Sequence, residues 1–137
     1  MRPIKFRAWI KKGLGVGIKP FMTYRIEKLH FNKGEEGIDA ENCKWDIDDI
    51  NLMQFTGLMD KNDKEIFEGD IVEVNYDGET SIHEVAWFGE KYYYPAFDLD
   101  PDLDCECNGL LHIMCADSIT IEIIGNIYEQ SYLLDKK

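Results

Sequence analysis

The chain has 137 residues, of which 45% are hydrophobic and 12% aromatic, and its formal net charge is −12 at pH 7. This length fits one domain that buries its own core, and the apolar content is too high for a disordered acidic chain. The net charge disfavours direct binding to nucleic acid. No stretch approaches the roughly 20 apolar residues of a membrane span, and no secretory signal opens the chain, so we expect a cytoplasmic protein without membrane contact.

The N-terminal third predicts antiparallel strands. Residues 4–10 alternate apolar and polar side chains, which is typical of a half-buried strand, and the glycines between 13 and 17 indicate a hairpin connection. Residues 21–31 are rich in aromatic and β-branched side chains and are predicted as a second strand. Residues 32–50 are polar and acidic, and we predict a surface loop that contains a short helical or strand piece.

Turns and short strands follow from residue 52 onward. Residues 52–56 are predicted as a strand, and the polar run 60–63 as a tight turn, because Asp and Asn hydrogen-bond their own backbone. Asp77-Gly78 predicts a type I′ hairpin between strands at 71–76 and 82–88.

The C-terminal part holds the less regular segments. Residues 92–94 begin a further strand, and residues 98–106 are predicted as an acidic loop. Residues 109–115 are apolar but too short to distinguish helix from strand. The last strand covers residues 118–128, with a bulge or kink at Gly125.

These patterns predict a mainly β fold with little helix. Short strands joined by tight turns favour a small barrel or sandwich. We expect one domain over residues 1–137, subdivided into N-terminal strands and a loop (1–50) and an SH3-like barrel in the C-terminal two-thirds (51–137).

The charges are divided unevenly along the sequence. Residues 1–33 hold nine basic side chains and one acidic, whereas residues 34–137 hold six basic and 26 acidic. One interpretation is that basic N-terminal strands pair with acidic strands of the same domain. The alternatives are a basic face for an acidic partner, or an acidic face that mimics a phosphate backbone. The candidate interaction residues are Arg2, Lys5, Arg7, Lys11, Lys12 and Lys19.

Three of the four cysteines cluster near the acidic segment. The cysteines are too few for a secreted disulfide scaffold, and we interpret them as reduced thiols. Ligand types suited to tetrahedral zinc occur at Cys105, Cys107, His112 and Cys115. Their spacing differs from that of common zinc sites, and a buried apolar segment explains Cys115 and His112 as well. These four are weak metal candidates, and we predict no metal and no cofactor.

No motif indicates an enzyme. Four alternating carboxylates between Asp98 and Asp104 fail the calcium-loop pattern, because Leu103 stands where glycine is needed. Ser81, Ser118 and Ser131 have no nucleophile-elbow context, and His83 is interpreted as a half-exposed strand residue. We therefore name no catalytic residue.

Three blocks resemble the motifs of the YopX family. The central block is LMQFTGLMDKNDKEIFEGDIV at residues 52–72, and the outer blocks are IKFRAW at residues 4–9 and IIGNIYE at residues 123–129. They occur in the family's order and span almost the whole chain. The turn departs from the family at Asp63, where glycine is usual. On physical grounds Gly57 and Gly69 serve special backbone positions, and Asp70 accepts backbone N–H groups, so the signature specifies a fold.

The resemblance implies a small protein of a phage or prophage, with an SH3-type barrel and with no activity established for the family as a whole. We predict a non-enzymatic accessory protein that binds a protein partner or forms a homo-oligomer. One alternative is an acidic nucleic-acid mimic that inhibits a host DNA-binding protein. The other is a small metal-binding protein or enzyme that uses residues 98–115.

Overall fold

The computed structural model describes residues 4–11, 19–87, 97–100, 110 and 118–135. Within these ranges the chain forms eleven β-strands and two short 3-10 helices, and the strand pairings with a defined register are antiparallel. The predicted mainly β class is confirmed, and one antiparallel sheet curls into a half-barrel. The SH3-like barrel itself stays a prediction.

The chain divides into two compact units, Met1–Phe55 and Thr56–Lys137. Each unit has its own cluster of buried apolar side chains. The boundary falls inside one ten-residue strand, Ile50–Met59. The subdivision predicted at residues 50 and 51 stays a prediction.

Unit 1 contains two groups of paired strands. Its elements are β1 (Phe6–Ile10), β2 (Phe21–Thr23), β3 (Ile26–His30), β4 (Gly37–Ala40), β5 (Cys43–Asp46), a 3-10 helix (Ile47–Asp49) and the start of β6 (Ile50–Met59). β1 lies between β2 and β6, and β3, β4 and β5 form a three-stranded sheet in that order. Alternate residues of these strands point to one side, so Ile10, Ile38 and Trp45 meet in a common core.

The segment 21–31 is two strands rather than the single strand predicted. β2 pairs with β1, whereas β3 pairs with β4 in the other sheet. The chain changes sheet at Tyr24 and Arg25, where the backbone N–H of Arg25 donates to the side chain of Thr23 at 3.1 Å. Aromatic and β-branched composition indicates strand structure but does not reveal a break that one hydroxyl stabilises.

The surface loop predicted at residues 32–50 is wrong for residues 37–46, whereas the short helical piece predicted within it is present as the 3-10 helix Ile47–Asp49. The segment forms the β4–β5 hairpin, and it buries Ile38, Ala40 and Trp45. Its two-residue turn is Glu41-Asn42, with φ of 50° and 62°. The sequence signal was weak because type I′ turns usually carry glycine, which is absent from this turn.

Unit 2 is built on a four-stranded antiparallel sheet. Its strands are the end of β6, β7 (Glu65–Phe67), β8 (Asp70–Tyr76), β9 (Glu79–Trp87), β10 (Phe97–Asp100) and β11 (Ile119–Asn126), followed by a 3-10 helix (Ser131–Asp135). The sheet has the order β10-β9-β8-β11, and β7 lies beside β6. Val72, Val74, Val85, Leu99 and Ile121 form the centre of its core.

Several local predictions for unit 2 are confirmed. The hairpin at Asp77-Gly78 joins β8 and β9, with φ of 49° and 87° at the two turn residues. The register between β8 and β11 shifts between Ile123 and Gly125, as the predicted bulge requires. The acidic loop is wrong at its start, because residues 98–100 belong to β10, which pairs with β9.

Other sequence predictions fall on residues that the structure does not describe. They are the glycine connection at 13–17, the strand at 92–94, the remainder of the acidic loop at 101–106 and most of the apolar segment 109–115. In this last segment the structure describes only Leu110, which is buried in the core of unit 2.

Candidate functional site

Asp60 is a buried carboxylate that accepts three backbone hydrogen bonds. Its side chain is 5% exposed. One oxygen accepts the backbone N–H groups of Asn62 and Lys64 at 2.8 and 2.9 Å, and the other accepts that of Ile123 at 3.0 Å. Burial by itself would raise the pKa of Asp60, but these three donors outweigh it and hold the pKa below its usual 3.8. Asp60 therefore accepts these backbone hydrogen bonds as an ionised carboxylate.

The loop around Asp60 also covers the outer edge of β11. The backbone N–H of Lys61 donates to the carbonyl of Ile121 at 2.9 Å. The Lys61 ammonium lies 2.9 Å from a carboxylate oxygen of Glu122, and this hydrogen bond raises the pKa of Lys61. A shallow cavity of about 170 Å³ lies between Met59 and Thr120. Because the oxygens of Asp60 already accept backbone donors, this cavity has no free general base at that carboxylate.

Asp70 and Thr56 bind the backbone in the same way. The carboxylate of Asp70 accepts the backbone N–H of Phe67 at 2.8 Å, across a turn in which Gly69 has a φ of 87°. The hydroxyl of Thr56 donates to the carbonyl of Ile66 at 2.7 Å. A side chain at the Gly69 position would be strained, since L residues rarely adopt such a φ. These contacts explain why this fold requires Thr56, Gly69 and Asp70 at their positions.

Ser81 and His83 form a contact that sequence reasoning missed. They are two apart on β9, so their side chains share a face, and the Ser81 hydroxyl lies 2.6 Å from Nε2 of His83. His83 is 3% exposed, which overturns the interpretation as a half-exposed residue. The contact gives a buried ring nitrogen a hydrogen-bond partner, which is the ordinary requirement for a polar group in a core.

In unit 1 the β4–β5 turn is fastened to β2. The hydroxyl of Thr23 donates to the carboxylate of Glu41 at 2.7 Å, which helps to hold Glu41 in its left-handed conformation. A cavity of about 450 Å³ lies beside this turn and is lined by Glu27, Asp39, Ala40, Asn42, Cys43 and Lys44. Neither Thr23 nor Glu41 carries a recognisable motif, so no sequence signal pointed to this contact.

A family model described as YopX protein matches residues 5–135, which is nearly the whole chain. The chain belongs to the YopX family. The crystal structure of protein EF1440 from Enterococcus faecalis is similar to it, with 28% sequence identity and a TM-score of 0.56 over 98% of this chain and 99% of that chain. No curated protein matches the chain.

Membership of the YopX family gives the contacts of Asp60, Asp70 and Thr56 a common meaning. All three residues belong to the central block of the family signature, and each bonds main-chain groups. Asp63, which stands where the family usually has glycine, has a φ of 62° and so keeps the left-handed conformation that glycine favours. In this YopX chain these signature residues therefore hold the backbone of a turn in its conformation.

The candidate basic residues differ in their surroundings. Lys5, Lys11 and Lys19 are exposed, and the Lys5 ammonium lies 5.7 Å from the centre of the Phe55 ring. Arg7 is buried at 2% exposure, and its guanidinium donates to the hydroxyl of Tyr24 at 3.3 Å. Arg2 and Lys12 lie outside the described residues. A role of these six residues in binding stays a prediction.

The weak metal candidates Cys105, Cys107, His112 and Cys115 also lie outside the described residues. Within the described part of the chain, no group of three or more His, Cys, Asp or Glu side chains is placed to hold a metal ion. Zinc binding by the cysteine segment stays a prediction, which metal analysis of the purified protein would check.

The two units of this YopX chain carry very different charge. Residues 1–55 have ten basic and eight acidic side chains, whereas residues 56–137 have five and 19, so the net charges are +2 and −14. In unit 1 the basic N-terminal strands meet acidic partners directly. Lys28 lies opposite Asp39, and His30 lies 2.9 Å from the same carboxylate. The excess negative charge therefore belongs to unit 2.

None of the described helical segments has the length and apolar character that a membrane crossing requires.

Proposed function

We infer that the chain is a non-enzymatic accessory protein of a phage or prophage that acts by binding protein in the bacterial cytoplasm. Its partner is either a second copy of the chain or a different protein. Three polar side chains of the family signature, Thr56, Asp60 and Asp70, support this inference, since each is hydrogen-bonded to backbone. The function then depends on the side chains and strand edges that the protein exposes to a partner.

The observation that carries this proposal is the three-stranded sheet of unit 1, with the exposed side chains near it and its edge strands β3 and β5. Large aromatic side chains stand on either side of the edge strand β3, with Tyr24 59% and Phe31 80% exposed. Aromatic residues are enriched at protein interfaces. The other edge strand of the same sheet is β5, which pairs with β4 without a register shift, and such strand edges are common sites of β-strand addition. The sheet thus combines the two features that most often accompany binding of protein.

Light scattering and tagged purification test this function together. We expect the purified protein either to exceed its 16.0 kDa monomer mass or to retain one stoichiometric partner when isolated from cells that carry the natural phage or prophage. The matched control is the same tag on an unrelated acidic protein of similar size. A monomer that retains nothing beyond the control would contradict the proposal.

A second candidate function follows from the charge of unit 2. A net charge of −14 on 82 residues is typical of a surface that can compete with a phosphate backbone for a basic partner. In that case immobilised protein would retain a host DNA-binding protein that duplex DNA releases. If duplex DNA releases nothing that salt of equal ionic strength does not also release, the mimic function is wrong.

A further inference from the structure

β5 differs from β3 and β11 in having an edge that is regular and, among the described residues, uncovered. β3 contains a register shift between Ile26 and Lys28, and such bulges disfavour pairing with another chain. The edge of β11 is covered by the Asp60 loop. β5 pairs with β4 without any shift, and it ends the three-stranded sheet.

The direction of the β5 backbone groups follows from its hairpin. A two-residue turn closes on a hydrogen-bonded pair, here Ala40 and Cys43, and such pairs alternate along the strands. Accordingly, the main-chain N–H and C=O groups of Trp45 point toward β4. The N–H of Ile47 likewise donates to the carbonyl of Glu36 at 2.9 Å. The main-chain groups of Lys44 and Asp46 therefore point away from β4.

These outward groups belong to two exposed residues of opposite charge. Lys44 and Asp46 are both exposed. Among the described residues, no main-chain group bonds to their backbone on the outer side. An antiparallel strand with Lys opposite Asp46 and Asp opposite Lys44 would complete both the hydrogen bonds and the charges.

A second copy of β5 has this arrangement. We propose that two copies of the chain associate through their β5 edges, antiparallel about a two-fold axis at Trp45, so that Lys44 of each copy pairs with Asp46 of the other. This inference rests on the proposed function and names its partner as the same chain. The three-stranded sheet would become a six-stranded sheet across an isologous interface.

The charges also select the register. When a strand pairs with its own copy in antiparallel orientation, the register can change only in steps of two residues. The reason is that only alternate residues direct their main-chain N–H and C=O groups toward the open edge. A shift one way places Lys44 opposite Lys44, and a shift the other way places Asp46 opposite Asp46. Both put like charges directly across, which is destabilising. Lys44–Asp46 is the register in which every outward charge meets its opposite.

Charge exchange tests the pairing. Lys44→Glu leaves two acidic residues on the edge, and Asp46→Lys leaves two basic ones, so each variant alone should weaken self-association about tenfold or more. Mixed in equal amounts, the two variants should form a heterodimer, because each then meets the opposite charges. Sedimentation velocity over a range of concentrations measures all three dissociation constants, and a mixture that stays monomeric would overturn the proposal.

Two controls separate charge from folding. Asp46 also accepts the backbone N–H of Asp48 at 3.0 Å, so Asp46→Lys removes a local cap. The double variant Lys44→Glu/Asp46→Lys lacks the same cap but restores opposite charges, and it should dimerise like the natural protein. Lys33→Glu makes the same charge change as Lys44→Glu at an exposed turn residue, and it should leave the dissociation constant unchanged.

A disulfide reports the register directly. In the proposed dimer Cys43 lies opposite Ile47 of the second copy in a non-hydrogen-bonded pair, whose Cα separation of about 4.5 Å permits a disulfide. Ile47→Cys should therefore give, on mild oxidation, a covalent dimer with a 43–47 linkage found by peptide mapping. The matched variant Cys43→Ser/Ile47→Cys should not give this linkage.

The outcomes distinguish this inference from the proposed function. If the natural protein self-associates but the charge variants keep its dissociation constant and no 43–47 linkage forms, the β5 interface is wrong while self-assembly stands. If the natural protein is monomeric at every concentration, both the β5 interface and self-assembly are wrong. Only binding of a different protein would then remain of the proposed function.

Discussion

At the scale of single residues, Asp60 shows that a buried carboxylate of a family signature can stabilise the fold through backbone hydrogen bonds. A buried carboxylate usually draws attention as a possible acid or base. Here its oxygens accept three backbone N–H groups that come from its own turn and from β11. Donors of this kind favour the ionised form, so the residue is locked in one protonation state near neutral pH.

Asp60→Asn should lower the free energy of unfolding by about 2 kcal/mol, because a carboxamide offers one acceptor oxygen where the carboxylate offers two. The low pKa of Asp60 adds stability above the pKa of the unfolded chain, and this stability is lost as the pH falls through the folded pKa. Urea unfolding between pH 7 and pH 3 should therefore show a smaller acid-induced loss in the variant.

Asp63→Asn is the matched control for this prediction. It makes the same chemical change in the same turn, but Asp63 is exposed, and asparagine also tolerates a positive φ. Its unfolding free energy should stay within about 0.5 kcal/mol of the natural protein. Equal losses from both variants would show that the turn, rather than the bonds of Asp60, responds to the substitution.

At the scale of elements, two hairpins show what could be read from the sequence. Asp77-Gly78 was predicted because glycine takes a positive φ without strain. Glu41-Asn42 also has a positive φ at both positions, but this turn lacks the glycine that would have predicted it. The edge charges of β5 were hidden for the same reason, since Lys44 and Asp46 become neighbours on one outward side only when the hairpin fixes their strand.

Gly37→Ala should destabilise the β4–β5 hairpin. A methyl group at Gly37 would overlap the backbone carbonyl oxygen of Trp45, and backbone in a paired strand cannot move aside cheaply. We expect a loss of about 3 kcal/mol in thermal or urea unfolding. Hydrogen exchange should show the loss of protection first in β4 and β5.

Gly34→Ala provides the comparison for this substitution. Gly34 has a φ of 86° and open space around it, so the variant meets backbone strain without a collision. Its cost should be about 1 kcal/mol. If Gly37→Ala costs no more than Gly34→Ala, the close packing of β4 on β5 is not what selects glycine at that position.

At the scale of the whole molecule, the charge is separated by unit although the sequence suggested separation by terminus. The basic N-terminal strands are balanced by the acidic segment that completes their own unit, and the net −14 belongs to residues 56–137. The sequence does not reveal this partition, because residues 32–50 resemble a surface loop although they supply acidic strands to unit 1. Like charges crowded into one unit oppose its compact state.

Added salt should therefore stabilise the protein. Raising sodium chloride from about 0.01 to about 0.15 M shortens the Debye length to roughly 8 Å and screens repulsion among the acidic side chains. We expect the midpoint of thermal unfolding to rise by roughly 4 °C, which corresponds to about 1 kcal/mol. A midpoint that falls with salt would show that attractive pairs such as Lys61–Glu122 outweigh the repulsion.

β6 gives the molecule a further property through its position. This strand supplies Ile50 to the core of unit 1 and Leu58 to that of unit 2, and the boundary between the units lies between Phe55 and Thr56 within it. Most domain boundaries fall in linkers, where recombination can exchange one domain for another without harm. Here a crossover at the boundary would cut a paired strand, so exchange of one unit alone should disrupt the pairing of β6.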